Sequence, residues 1–441
     1  MKLNFTSPFA QQYLREIPFG TTLDLDSNSL GDRRGTELAL AFNAIPDRIR
    51  SLLLGYNFLG KLTSGDLASA LASVPAHVAK LDLSFNNLHG YTSPELVQIF
   101  TGIKANITEL NLDSNNLSNR TVAGLVSAFT ALPVGVTSIH LADNDLYKYK
   151  GTDLALAIAA IPARVKSIDF SSNILYSCSE LAKAISAIKI GVTTISLAYN
   201  QLGKLPEEEL ELALRALPTS TTTLDLSSNN LGARTASYLI SAFRAIPSRV
   251  STLKLRANNI GSLPSDRLGS VFAALPPHVT TLDLSSNELN KFKGRDLATA
   301  FAKIPSNVNT INISGNNLDI ITDAEWILIV RQLPRNVTTI ICDGNLQEKV
   351  SHVLRREREI ASAPAVRPTI RPSHTLRATA ADPRFWYNGK EVFPKRREAD
   401  KETSPTRVTQ VTLSIFKGSL ATSREASPTP TAFEEFWGPA A

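Results

Sequence analysis

Apolar residues recur along this chain in two alternating patterns. In the first, Leu23 and Leu25 alternate with polar neighbours, and Asn28 and Leu30 follow. A period of two sends Leu23 and Leu25 to one side of a short strand. In the second, apolar residues sit at i, i+4 and i+7. Leu38, Phe42 and Ile45 do so, as do Leu67, Leu71 and Val74, Leu154, Ile158 and Ile161, and Leu297, Phe301 and Ile304. That spacing marks one face of a helix, and interspersed alanines favour the same state. Proline then ends the helix, because it cannot continue the hydrogen-bond ladder. Pro46, Pro75, Pro133, Pro162, Pro218, Pro247, Pro276, Pro305 and Pro334 hold that place, and Lys104 and Lys189 replace it in two units.

The two patterns alternate at a fixed period. The asparagine of the strand motif recurs as Asn28, Asn57, Asn86, Asn115, Asn144, Asn173, Asn200, Asn229, Asn258, Asn287, Asn316 and Asn345. Successive asparagines lie 29 residues apart, except Asn173 and Asn200, which are 27 apart. One strand and one helix cannot bury an apolar stripe alone, so such units must stack. Parallel strands pack at about 4.8 Å and helices at about 8–10 Å, so the stack curves with its strands inside. The strands then line an inner arc of roughly 50 Å, which suits a protein partner better than a small molecule. An asparagine buried at each bend would satisfy backbone groups of the turn and its neighbour, giving a structural asparagine ladder.

The string Leu-x-Leu-x-x-Asn-x-Leu resembles the leucine-rich repeat family over roughly residues 20–346, and the 29-residue period is similar to its ribonuclease-inhibitor-like subclass. The resemblance implies an α/β horseshoe of about 12 repeats, with parallel strands on the concave face and helices on the convex face. The expected layout is an N-terminal cap at 1–21, containing Tyr13, Leu14 and Ile17, then the solenoid at 22–346. A capping helix at 347–360 follows, with Val350, Val353 and Leu354 on one side and the charges of 355–359 in solvent. Residues 361–441 read as a tail rich in Pro, Ser and Thr. Within it, Asn388-Gly389 signals a small β-hairpin, and Val411, Leu413 and Ile415 alternate as in a strand.

Charge and composition narrow the function. Residues 347–441 carry 16 basic and 11 acidic side chains, so most of the net charge of +6 lies there, and little draws the main body to nucleic acid. Two cysteines cannot build a disulfide framework. No run of about 18 apolar residues predicts a transmembrane helix, and the start of the chain lacks the apolar core of a secretory signal. The six histidines have no metal-type spacing, and no phosphate-binding glycine loop is present. Some bacterial relatives carry a ubiquitin-ligase domain with a Cys-x-Asp motif. Here Asp343 follows Cys342 directly, Ser179 follows Cys178, and the tail is too short. The reading is a monomeric, non-enzymatic binder without cofactor.

Candidate contacts follow from departures within the repeat. The strand-end column runs Asp24, Leu53, Asp82, Asn111, His140, Asp169, Ser196, Asp225, Lys254, Asp283, Asn312 and Ile341. Its aspartates are either solvent-facing filler or a face for a basic partner. Tyr56, Phe85 and Tyr199 take the slot before the asparagine, where small residues are usual; they are expected as interface anchors or as packing on the turn. Tyr56 and Phe85 are close enough to touch. Lys254 and Arg256 are expected to pair with Asp225 and Asp283. Tyr149 and Phe292, each between lysines, and Tyr91 either project from one rim or cover the repeat core.

The cadence of AFNAIPDRIRSLLLGYN and AFRAIPSRVSTLKLRANN resembles the leucine-rich-repeat effectors of Legionella. That resemblance implies delivery into the host cytoplasm by the Dot/Icm type IV secretion system and a host protein as partner. A C-terminal translocation signal fits Glu434-Glu435 flanked by Phe433, Phe436 and Trp437. Two alternatives remain at this stage. An intracellular adaptor would bind through its tail, or Lys395-Arg396-Arg397 would hold anionic membrane or phosphate.

Overall fold

A computed structural model describes residues 21–362, apart from the side chains of Asn345 and Ser362. All of them fall in one compact unit. The N-terminal cap and the tail proposed above therefore lie almost wholly outside the described residues. Twelve three-residue strands, from Thr22–Asp24 to Thr339–Ile341, form one sheet in chain order. Neighbours pair in parallel and in strict register: Leu23 faces Leu52, Leu52 faces Leu81, and Ile168 faces Ile195 across the short unit. The middle residue of each strand is buried and its neighbours face outward, as a period of two requires. The short unit shortens its helix, which runs only over Leu181–Ser186.

Each strand leads into a tight bend. The residues on either side of the ladder asparagine hold left-handed backbones, such as Ser228 (φ 55°) and Asn230 (φ 56°) around Asn229. A single turn of 3-10 helix follows, and its second residue contacts the next unit. Where that residue is glycine (Gly31, Gly60, Gly203, Gly232, Gly261), its N–H donates to the next asparagine's carbonyl at 2.7–2.9 Å. Where it is Ser118, Tyr147 or Tyr176, the same bond lengthens to 3.3 Å. A β-carbon at Gly232 would lie 2.0 Å from the Asn259 oxygen, so any side chain pushes the units apart locally.

Helices from Gly35–Asn43 to Asp323–Gln332 bury the predicted stripe. After each helix the proline carbonyl accepts the N–H three residues on, as Pro46 does from Ile49 and Pro334 from Val337. Lys104 and Lys189 close the same turn, so the turn needs the carbonyl and not the ring. The acceptor's partner is Val or Ile in every unit but one. Thr221 takes that place, fully buried, and its hydroxyl has no partner. Thr221→Val is expected to raise stability by about 1–2 kcal/mol by removing the unpaired hydroxyl. An unchanged denaturation midpoint would show that the hydroxyl is satisfied.

The asparagines from Asn57 to Asn316 are fully buried and bonded to their full capacity. The Asn229 Oδ1 accepts the N–H groups of Asn200 (3.0 Å) and Leu202 (3.1 Å). Its Nδ2 donates to the carbonyls of Leu197, Leu226 and Ser227. Asn28, in the first described unit, is only half-buried.

The last unit departs from the expected layout. The closing helix spans Gly344–Ser362, beginning three residues before the predicted start. Position 345 therefore lies in a helical turn and not in a bend like the other asparagines; its side chain is outside the described residues. Gln347 supplies amide bonds at this end. Its Oε1 accepts the Cys342 N–H (2.9 Å), and its Nε2 donates to the Ile340 carbonyl (2.8 Å). Leu346, Val350 and Leu354 face the core. The charges of 355–359 are not all solvated: Glu357 is buried and takes both Arg331 Nε (2.7 Å) and Nη2 (3.2 Å).

Candidate protein-binding face

The strand ends form a column that shows why aspartate recurs. Asp82, Asp169, Asp225 and Asp283 each accept, through Oδ1, the N–H two residues ahead at 2.8–2.9 Å. Asn111 and Asn312 do the same. The side chain thus bends the chain out of the strand. A part of the acidity is structural, yet each carboxylate still brings charge to the face.

One column over, Asp113 Oδ1 accepts the Ala142 N–H at 2.6 Å, and burial pushes its carboxyl up to about 6. The ordinary value is 3.8, so between about pH 4 and 6 the folded chain binds the proton more tightly than the unfolded chain. This group's contribution to stability therefore falls as pH rises through that window. Asp113→Asn keeps an acceptor for Ala142 and is expected to flatten that slope. Denaturation midpoints of both chains across the window check it, and identical slopes would refute the assignment.

Charged residues on the face form short chains of contact. Lys80 pairs with Glu109 (2.6 Å), and His140 stands between Glu109 (3.6 Å) and Asp169 (3.9 Å). Lys254 reaches Asp225 (3.2 Å), as expected from sequence. Arg256 does not join that cluster: it is exposed and forms no ion pair among the described residues. Such exposed pairs are worth about 0–1 kcal/mol, so a partner can exchange them at little cost.

The aromatic candidates divide into two groups. Tyr56 and Phe85 stack across adjacent units, with ring centroids 3.9 Å apart and planes within 12°. Tyr199 stands apart and is 60% exposed. Phe58, which the sequence reading passed over, is 46% exposed beside Tyr56. Its slot holds residues as different as Ser29, Ile174 and Glu288, so no consensus drew attention to it. Tyr149 and Phe292 are corrections: both are buried and offer nothing at the rim. The Tyr149 hydroxyl donates to the Leu117 and Arg120 carbonyls of the preceding unit, and Tyr91 repeats this toward Leu59 and Leu62. Their flanking lysines remain outside.

Burial pushes the Cys178 and Cys342 thiols up to about 11, so neither offers a thiolate near neutral pH. Among the described residues, no group of three His, Cys, Asp or Glu is placed to hold a metal. Likewise, no described helix is long and apolar enough to cross a membrane.

A family profile described as Leucine Rich repeat matches residues 276–291. Among solved structures, the leucine-rich repeat-containing protein LegL7 from Legionella pneumophila is similar at 25% identity with a TM-score of 0.60. The match covers 78% of this chain and 99% of that one. The fold is a leucine-rich repeat solenoid. No curated protein matches it in sequence. The Rad7 and Elc1 complex in yeast is a slighter likeness, at 14% identity and a TM-score of 0.43 over 70% of this chain and 74% of that one. A leucine-rich repeat solenoid is typically a scaffold for binding other proteins rather than an enzyme. Here the scaffold presents an unbroken twelve-strand face with a stacked aromatic pair and exposed charge such as Arg256.

Proposed function

We propose that this leucine-rich repeat protein is a non-enzymatic effector, translocated by a type IV secretion system into the host cytoplasm, where as a monomer it binds a host protein with its concave face. The observation that carries the binding reading is the outward display of Tyr56, Phe85, Tyr199, His140, Lys254 and Arg256 along and beside one continuous sheet. None of these side chains is needed to fill the core. Exposed aromatics and arginine are the residues most often found at binding hot spots. The likeness to LegL7 and the terminal Glu434-Glu435 between aromatics favour translocation.

Translocation is tested by fusing a host-activated enzymatic reporter to the N-terminus and expressing it in Legionella with and without a working Dot/Icm system. Signal in host cells is expected only with the intact system and only when the last residues are present. Equal signal without Dot/Icm would sink the effector reading. Removing residues 361–441 separates the concave face from the tail. Host-protein binding that survives the removal supports the concave face, and binding that is lost transfers the role to the tail.

A further inference from the structure

Four aromatic side chains stand where the backbone disfavours them, and three of them lie in two adjacent units while Tyr199 stands apart. Tyr56, Phe58 and Phe85 hold φ values of 53°, 56° and 54°. A left-handed backbone is disfavoured for any residue with a β-carbon, because that carbon crowds the following carbonyl oxygen. At the equivalent slots most other units carry small or polar side chains, such as Ser114, Ser228, Asn116 and Asn230, with Ile174 and Tyr199 the other large apolar exceptions. The stack of Tyr56 on Phe85 is a modest offset and leaves Phe58 out. All three rings also stay in contact with solvent. Neither backbone preference nor core burial accounts for them.

The rings form one end of an open groove of roughly 310 Å³, and Ser114 and Asp143 form the other. Asp143 accepts the Ser114 hydroxyl (2.7 Å) and has no cation partner among the described residues. Rings and carboxylates share one field. The Tyr56 phenol is pushed up, first by burial and then by the charges of Asp143 and Asp26. The Lys61 ammonium, paired with Asp32 at 2.8 Å, lies 5.1 Å from the Phe58 centroid, within cation–π range. An aromatic platform beside an unpaired carboxylate is complementary to a flat cation, which can stack and form hydrogen bonds together.

We propose that this groove receives an arginine side chain from a basic segment of the partner protein, with its guanidinium stacked against the Tyr56–Phe85 pair and bonded to Asp143. This rests on the concave-face reading and specifies the chemistry of its partner. Lysine fits less well, because an ammonium is a strongly hydrated point charge without a stacking plane.

The test is an anisotropy titration of the full chain against a fluorescein-labelled peptide of alternating glycine and arginine, beside its lysine counterpart. Saturable binding is expected, weaker at about 0.3 M than at about 0.05 M salt. Tyr56→Ala with Phe85→Ala, and separately Asp143→Asn, should each weaken it at least about tenfold, the loss of roughly 1.4 kcal/mol. Leu156→Ala, an exposed change on the helical face, should leave it unchanged, and the lysine peptide should bind more weakly. Asp143→Asn removes charge without removing packing, so a loss there does not come from misfolding. Unchanged affinity in either variant, or equal affinity for both peptides, would overturn the proposal. No binding at low salt would also overturn it, while the concave-face reading stays separately testable by cross-linking.

Discussion

Replacing Asn229 by alanine is expected to cost about 4 kcal/mol, because two buried N–H groups are left without acceptors at about 1–3 kcal/mol each. Those groups belong to Asn200 and Leu202, and the position is fully buried. The carbonyls of Leu197 and Leu226 lose a donor as well. Asn229→Asp keeps an acceptor but loses the Nδ2 donors and buries a charge, so it should fare no better. Asn28→Ala is the contrast. That residue is half-buried, and among the described residues its side-chain amide donates one bond, to the Asp26 carbonyl. It should cost about 1 kcal/mol. Stability in stacked units is a sum of neighbour terms, so the local readout is hydrogen exchange at Asn200 and Leu202 beside the overall denaturation curve. Equal costs at both positions would mean that the ladder is not what binds unit to unit.

The second large effect is expected at Trp326. It is fully buried and is the largest side chain so placed. It sits ten residues beyond Asn316, where the 29-residue units place leucine, as Leu38 stands ten beyond Asn28. The last unit faces the closing helix instead of another repeat, and the indole fills the different space there. Trp326→Ala should cost about 4 kcal/mol, and Trp326→Leu about 1–2 kcal/mol, since the smaller change leaves a smaller void. Both are read from denaturant midpoints. A leucine variant as damaged as the alanine variant would show that the space next to the closing helix cannot contract.

The sequence made the scaffold legible because repetition averages out local ambiguity. Twelve copies of one strand motif and a nearly constant interval set strand order, register and the burial of the asparagines from Asn57 to Asn316. What stayed hidden depended on contacts between neighbouring units. The Lys-aromatic-Lys spacing around Tyr149 and Phe292 is compatible with either an exposed or a buried ring. The bonds from the Tyr149 hydroxyl to Leu117 and Arg120 decide it, and those partners lie 32 and 29 residues away in sequence. The recurring aspartates looked like either filler or a charged face. Their bonds to the N–H two residues on give them a third role, as turn formers. Gln347 was hidden for a different reason: it reaches back to Cys342 from a helix that begins earlier than the pattern suggested. Tyr56 and Phe85 were legible as a touching pair, whereas Phe58 was not, because its slot has no consensus to depart from.

The central claim is that the strand face, and not the helical face, meets the partner. Site-specific photo-cross-linking in eukaryotic lysate tests it most directly, with benzoylphenylalanine placed at Leu53 or Ser196 on the strand ends. Leu40 and Leu156, the helix positions for comparison, are 75% and 59% exposed. One common protein adduct is expected from both strand positions and none from the helix positions. That adduct formed from Leu40 or Leu156, and absent from Leu53 and Ser196, would contradict it.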